Sequence, residues 1–294
     1  MKRVGKLIGL AGVVAVMMFT VTGCMSLMSS LAKSMIKDYG VYDESVPEGQ
    51  LCELIFTAVN MRTFNGKPVS WESLTAALNR GSGNMGRIKL PAGTHEFVFD
   101  WNWQEQGVYR TTWRTIKNLE ISGFEFLPGH RYNLSGNWYG GRAYIYMQDI
   151  SGVRADMYGD SIPKFPNKSK TPTVLEGNWK GSDTTTFKFA GNEWEMSVPP
   201  GIQGNISNVA TGQRGIFEIE GGKIVMYVTH AGSGKMWISV SGLKLVNSWP
   251  FSVEGGNFNL ERPKSSIWTY SFDNNQSKLL KFEEFPQNIV YTKQ

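Results

Sequence analysis

The chain has 294 residues, 41% of them hydrophobic and 13% aromatic, with a formal charge of +5. That length is more than one hydrophobic core usually serves and points to two domains. Setting aside Lys2, Arg3 and Lys6 with an N-terminal leader leaves 27 basic against 25 acidic residues, so nucleic acid is not an implied partner. With only Cys24 and Cys52 in the chain, a disulfide scaffold is excluded as well.

Lys2, Arg3 and Lys6 open a basic start, Leu7 to Val21 form an apolar run, and Thr22 and Gly23 supply small residues before Cys24. This order reads as an export signal, because the glycines and the polar run Ser26 to Ser30 leave too little apolar length for a comfortable span. Val21-Thr22-Gly23-Cys24 resembles the bacterial lipobox. The resemblance implies cleavage before Cys24, with membrane lipid held through diacylglycerol on the thiol and a further acyl chain on the new amine. Two or three chains hold a protein durably, whereas one binds marginally. Residues 1–23 are therefore expected to be a signal peptide and residues 24–45 a lipid anchor and tether. Met25 in place of an acidic residue favours the outer membrane under the enterobacterial sorting pattern, and the expected location is the extracytoplasmic cell envelope.

Residues 46–159 show short alternating runs broken by Gly and Pro. Phe97, Phe99, Trp101 and Trp103 alternate as a strand with one buried face does, and Leu119, Ile121, Phe124 and Phe126 repeat the pattern. Trp71, Leu74 and Leu78 share a helical spacing and predict one short helical insertion in a β-sandwich. The segments Phe64-Asn65-Gly66-Lys67-Pro68-Val69, Leu90-Pro91-Ala92-Gly93-Thr94-His95 and Leu127-Pro128-Gly129-His130-Arg131-Tyr132 resemble turns of PEGA and carboxypeptidase-regulatory modules. That resemblance implies a surface scaffold and no catalysis.

Residues 160–173 hold Pro163, Pro166 and Pro172 among polar residues and are expected to be an interdomain linker. From residue 174 to 294 the chain reads as an antiparallel meander. Its runs include Phe187 and Phe189, Trp194 and Met196, Phe217 and Ile219, Ile224, Met226 and Val228, and Trp268 to Phe282, joined by Gly/Asn turns. About eight such strands close a barrel and remove its edges. Leu175-Glu176-Gly177-Asn178-Trp179-Lys180-Gly181 resembles the G-x-W strand of lipocalin/calycin barrels. The resemblance implies that Trp179 plugs the closed end and packs on a basic residue of the last strand, for which Lys293 is placed. Trp194, Met196, Met226 and Trp237 are candidate lining residues of a pocket for a small apolar ligand. The fold class is thus all-β, an N-terminal sandwich followed by a lipocalin-like barrel.

No constellation points to catalysis, a cofactor or a metal. Gly81-Ser82-Gly83-Asn84-Met85-Gly86 matches a dinucleotide pattern but precedes a strand, where a helix is required. His95, His130 and His230 are isolated, and His95 and His130 are expected at exposed strand starts. Ser82 and Ser233 lack a nucleophile elbow. Trp101, Trp103, Trp113, Trp138 and Tyr139 offer an aromatic platform, although β cores are rich in such residues anyway. The expectation is a non-catalytic envelope lipoprotein with a structural or binding role, with a small-ligand carrier or an envelope hydrolase as alternatives.

Overall fold

The computed structural model describes residues 36–73, 85–106, 111–158, 160–165, 173–200, 211–233, 236–240, 244–273, 276–285 and 287–294. The leader, Cys24 and most of the tether lie outside them. The strands are β1 Ile36–Val41, β2 Leu51–Thr57, β3 Val59–Phe64, β4 Lys67–Glu72, β5 Met85–Pro91, β6 Gly93–Gln106, β7 Thr111–Phe126, β8 Arg131–Tyr139 and β9 Arg142–Asp149. They continue with β10 Val153–Ala155, β11 Gly177–Gly181, β12 Thr186–Ala190, β13 Glu193–Val198, β14 Thr211–Glu220, β15 Lys223–Ser233 and β16 Met236–Ser239. Last come β17 Leu245–Glu254, β18 Asn257–Glu261, β19 Ser265–Asp273, β20 Gln276–Phe285 and β21 Asn288–Lys293. The protein is all-β, and the only helical pieces among the described residues are single 3-10 turns.

Two compact units divide these strands. One contains residues 34–151 and 265–284. It has a seven-stranded sheet in the order β1-β5-β2-β8-β9-β19-β20 and a four-stranded sheet in the order β4-β3-β6-β7. Phe97, Phe99, Leu119, Ile121, Phe124 and Phe126 from the smaller sheet are buried with Leu54, Phe56, Leu134, Ile145 and Trp268 from the larger one. The alternation seen in the sequence is the cause: each of these strands turns every second side chain to the core. The other unit contains residues 152–264 and 285–294. Its strands run β17-β18-β21-β11-β12-β13-β14-β15, and β15 pairs back to β17, which closes an eight-stranded antiparallel barrel. Strands β10 and β16 are short additions on β17 and β15. Tight turns set the register. At Gly221-Gly222 both residues have positive φ, as a two-residue hairpin between right-twisted strands demands.

Four expectations change. Trp71 lies in β4 opposite Met61, not on a helix, because Asn65-Gly66 turns β3 into β4 and the Trp71 ring is seated between Tyr42 and Phe64. Leu74 and Leu78 lie outside the described residues. Ile36–Val41, placed in the tether, forms β1 and pairs in parallel with β5. In the linker, Ile162 and Phe165 pack on Val225, Tyr227 and Val246 of the barrel's outer face, with the Phe165 and Tyr227 rings 5.1 Å apart. The last change concerns Trp268 to Phe282. This hairpin is not a barrel meander: β19 pairs with β9, Trp268 opposite Ile145 and Tyr270 opposite Ala143. The chain leaves the barrel after β18 and returns for β21, so residues 174–294 are not one continuous domain.

Candidate functional site

The barrel has two chemically different ends. One carries the tight turns at Gly191-Asn192, Gly221-Gly222 and Gly255-Gly256, together with the start of β11 and the end of β21. Trp179 and Lys293 stand directly opposite each other in the β11–β21 ladder. The indole is 2% exposed, its Nε1 donates to the Leu175 carbonyl at 2.8 Å, and the Lys293 ammonium lies 5.6 Å from the ring centroid. A cation over an indole face is attracted by the ring quadrupole. Gly177 has no side chain because a Cβ there would meet the Lys293 Cε at 3.0 Å.

Above this end aromatic rings pack against one another inside the barrel. Phe187 and Phe189 lie parallel at 5.6 Å, Phe189 meets Phe217 at 5.0 Å, and Phe187 meets Tyr291 at 5.2 Å. Phe258 touches Trp179 at 5.8 Å and Tyr291 at 5.3 Å. Of the four residues expected to line a pocket, Trp194 and Met226 face inward and are buried, and Met196 faces inward and is partly buried. Trp237 is not with them. It pairs with Gly232, which pairs with Gly212, which pairs with Ser197, the outward neighbour of Met196. Its indole lies across the two glycines, where a Cβ would meet ring atoms at 2.8 Å on Gly232 and 3.1 Å on Gly212, and the Arg214 guanidinium stacks 4.8 Å from the ring. Trp237 lies on the outer face of the wall, across β14 and β15.

At the other end a charged cluster is buried. Arg262, just past β18, is 8% exposed, and Asp183, in the β11–β12 turn, is 10% exposed. Arg262 donates through Nη1 to Asp183 at 3.1 Å and through Nη2 to Thr185 Oγ1 at 3.1 Å, to the Tyr291 hydroxyl, and to Met196 Sδ at 3.9 Å. Asp183 also accepts from Thr185, from Oγ1 at 2.6 Å and from the amide at 3.1 Å. Burial pushes the Tyr291 phenol up to about 12, with the Arg262 charge pulling the other way. The Tyr291 proton is therefore held at neutral pH, and the cluster joins a turn, the end of β18 and β21 through a shared network of hydrogen bonds. A lone Arg after an alternating strand gave no sequence signal for this cluster.

In the other unit the histidines have structural partners. His95 is not exposed. It is 9% exposed, with Nδ1 at 3.1 Å from the Asn65 amide and Nε2 at 2.6 Å from the Pro91 carbonyl, and burial lowers its pKa. His130 Nδ1 bonds Asp149 at 2.6 Å, but Ser151 Oγ donates to the same carboxylate at 2.5 Å and not to the imidazole. A nucleophile needs the base itself as its partner, so this trio is not arranged as a Ser-His-Asp triad. Trp101, Trp103 and Trp138 stack on one another, at 5.4 Å and 4.9 Å, and Phe272 follows at 5.5 Å. Those ring faces are occupied by each other rather than offered as a platform.

Among the described residues, no group of three or more His, Cys, Asp and Glu side chains is placed to hold a metal ion, and no helix is long and apolar enough to cross a membrane. No protein-family model matches the chain, and no curated protein matches it.

Proposed function

We propose that this chain is an exported lipoprotein of a bacterial envelope, acylated on Cys24, whose two β units serve a non-catalytic structural or partner-binding role. The observation that carries this reading is Val21-Thr22-Gly23-Cys24 placed directly behind a basic and then apolar leader. Trp179 under Lys293 at one end of a closed barrel supports the lipocalin-like reading of the second unit. The turn motifs of the first unit support a surface module of the PEGA kind. Rings in contact through the barrel interior favour a scaffold over a carrier of small apolar ligands, because a pocket for such a ligand needs roughly 300 Å³ or more. Met25 favours the outer membrane.

Mass spectrometry of protein purified from membranes tests the proposal. The expected N-terminal peptide begins at Cys24 and carries acyl chains, and a Cys24→Ser variant loses them. An unacylated chain that still begins at Met1 and stays in the cytosol overturns the proposal.

A further inference from the structure

We infer that His95 is an acid-released latch: its neutral ring ties the Asn65-Gly66 turn to the corner where the chain crosses between the two sheets, and its protonated ring cannot. The corner is Pro91 to Gly93, from the end of β5 in the seven-stranded sheet to the start of β6 in the four-stranded one. The Asn65-Gly66 turn joins β3 to β4, and Asn65 meets β6 twice at Glu96. Its amide donates to the Glu96 carbonyl at 2.9 Å, and its Oδ1 accepts from the Glu96 amide at 3.0 Å.

Those bonds leave the ring one protonation state. A backbone amide only donates, so Glu96 fixes which end of the Asn65 side chain is oxygen. The NH2 end then faces His95 Nδ1 at 3.1 Å, and since NH2 only donates, Nδ1 accepts and carries no proton. Nε2 lies 2.6 Å from the Pro91 carbonyl, which only accepts, so the single ring proton is there. A second proton must go to Nδ1, where it points at the NH2. Turning the amide over only sets NH2 against the Glu96 N–H. The ring therefore takes its second proton once Asn65 has let go. Asn65 is exposed and finds water when it leaves, whereas His95 is 9% exposed.

The side chains packed on the ring are apolar: Phe64 of β3, Phe97 of β6 and Phe126 of β7, at 4.7, 6.4 and 5.7 Å between centroids. Burial among them lowers the His95 pKa, with the Pro91 carbonyl pulling the other way. Cys52 of β2, whose Sγ is 3.9 Å from that carbonyl, stays a neutral thiol because burial pushes it up to about 12. Tyr132 of β8, against Phe126, is raised by burial as well. Lys67 after the turn, Glu96 on β6 and Glu125 on β7 are exposed, as is Asp43 beside Lys67. Glu53, Lys89 and Arg131, next to the core residues Cys52, Leu90 and Tyr132, stand on the outer side of their sheet by strand alternation. Mild acid thus acts on His95 and not on these neighbours. Outside the cytoplasm, where the proposed function places this chain, pH follows the surroundings, but the latch itself does not depend on that placement.

Isotope-labelled full-length chain, purified and followed by NMR from about pH 7.5 to 5, tests the latch. The His95 ring should carry its proton on Nε2 at neutral pH. Protection of the Asn65 and Glu96 amides against exchange should fall on acidification below about pH 6.5, by up to about tenfold per pH unit, the limit for one proton. His95→Gln, which does not titrate, should lose that fall. Asn65→Asp keeps the ring and offers Nδ1 a carboxylate oxygen, so its Glu96 amide should stay protected down to about pH 5. That variant carries the test even where His95→Gln fails to fold. A neutral-pH proton on Nδ1, protection that stays constant across the range, or an unaltered fall in Asn65→Asp overturns the inference.

Discussion

Replacing Asp183 by Ala tests whether the buried cluster at the Arg262 end holds the barrel together. Both members of the pair are about nine-tenths buried, so the guanidinium left behind lies out of water and loses the Asp183 carboxylate. Removing one partner of a buried ion pair costs about 3–5 kcal/mol, and here the Thr185 amide loses its acceptor as well. Arg262→Met removes the cation and keeps Asp183 bonded to Thr185, so a smaller loss of about 1–3 kcal/mol is expected. The double variant is then less destabilised than the sum of the two, by about 1–3 kcal/mol of coupling. With two units in one chain a single midpoint is not defined, so the readout must follow the barrel alone. Hydrogen exchange of β11, β18 and β21 amides across a urea series does this. If Asp183→Ala costs under about 1 kcal/mol, or the two variants add, the cluster is a solvated surface pair and the argument fails.

Two further outcomes follow from the same packing. Tyr291 titrates near pH 10 when unfolded but is pushed up to about 12 in the fold, chiefly by burial. Between those values the unfolded phenol has lost its proton and the folded one has not, so stability is complete below pH 10 and falls as pH rises toward 12, by about 3 kcal/mol. Tyr132, Tyr146 and Tyr270, also raised by burial, act with the same sign in the other unit. Barrel exchange rates measured from pH 9 to 12 should show this slope and lose the larger part of it in Tyr291→Phe, since burial also raises Tyr227 of the barrel, and an equal slope in both proteins would remove Tyr291 from the account. The second outcome concerns Gly215, at the bulge in β14, where a Cβ would lie 1.8 Å from the Tyr227 carbonyl oxygen. Gly215→Ala should prevent normal barrel closure, while Gly221→Ala, in open space at positive φ, costs about 1 kcal/mol. Equal soluble yields and equal barrel amide exchange for the two variants would show that β14 and β15 shift apart freely.

Features written into neighbouring residues were legible in the sequence. Period-two runs and Gly/Asn turns gave the strands, and G-x-W together with the position of Lys293 gave a pair that meets across a ladder. The misplaced features depend on partners far along the chain. Trp268, Tyr270 and Phe272 have the same alternation whether β19 joins a barrel or lies beside β9, so no local pattern chooses between them. Trp237 alternates like a lining residue, and only the pairing through Gly232 and Gly212 places it outside. Trp71 sits at helical spacing from Leu74, yet the Asn65-Gly66 turn had already committed the chain to a hairpin.

The path of the chain explains why a charged cluster sits where the interior could have been apolar. Strands β18 and β21 pair directly, Leu260 opposite Ile289 and Glu261 opposite Asn288, although β19 and β20 lie between them in sequence. The barrel ladder treats the excursion as an insertion, and its neck is the point where the two strands diverge. Arg262 is the first residue of that neck. Its amide donates to the Gln287 carbonyl at 2.6 Å, and its side chain reaches Asp183, Thr185 and Tyr291. An apolar side chain there would fill space but fix no direction. The planar guanidinium binds a turn and two strands at set angles, which is what a point of divergence needs. Long excursions cost loop-closure entropy only slowly with length, so a firm neck is sufficient to keep a closed barrel with a distant hairpin in its sequence.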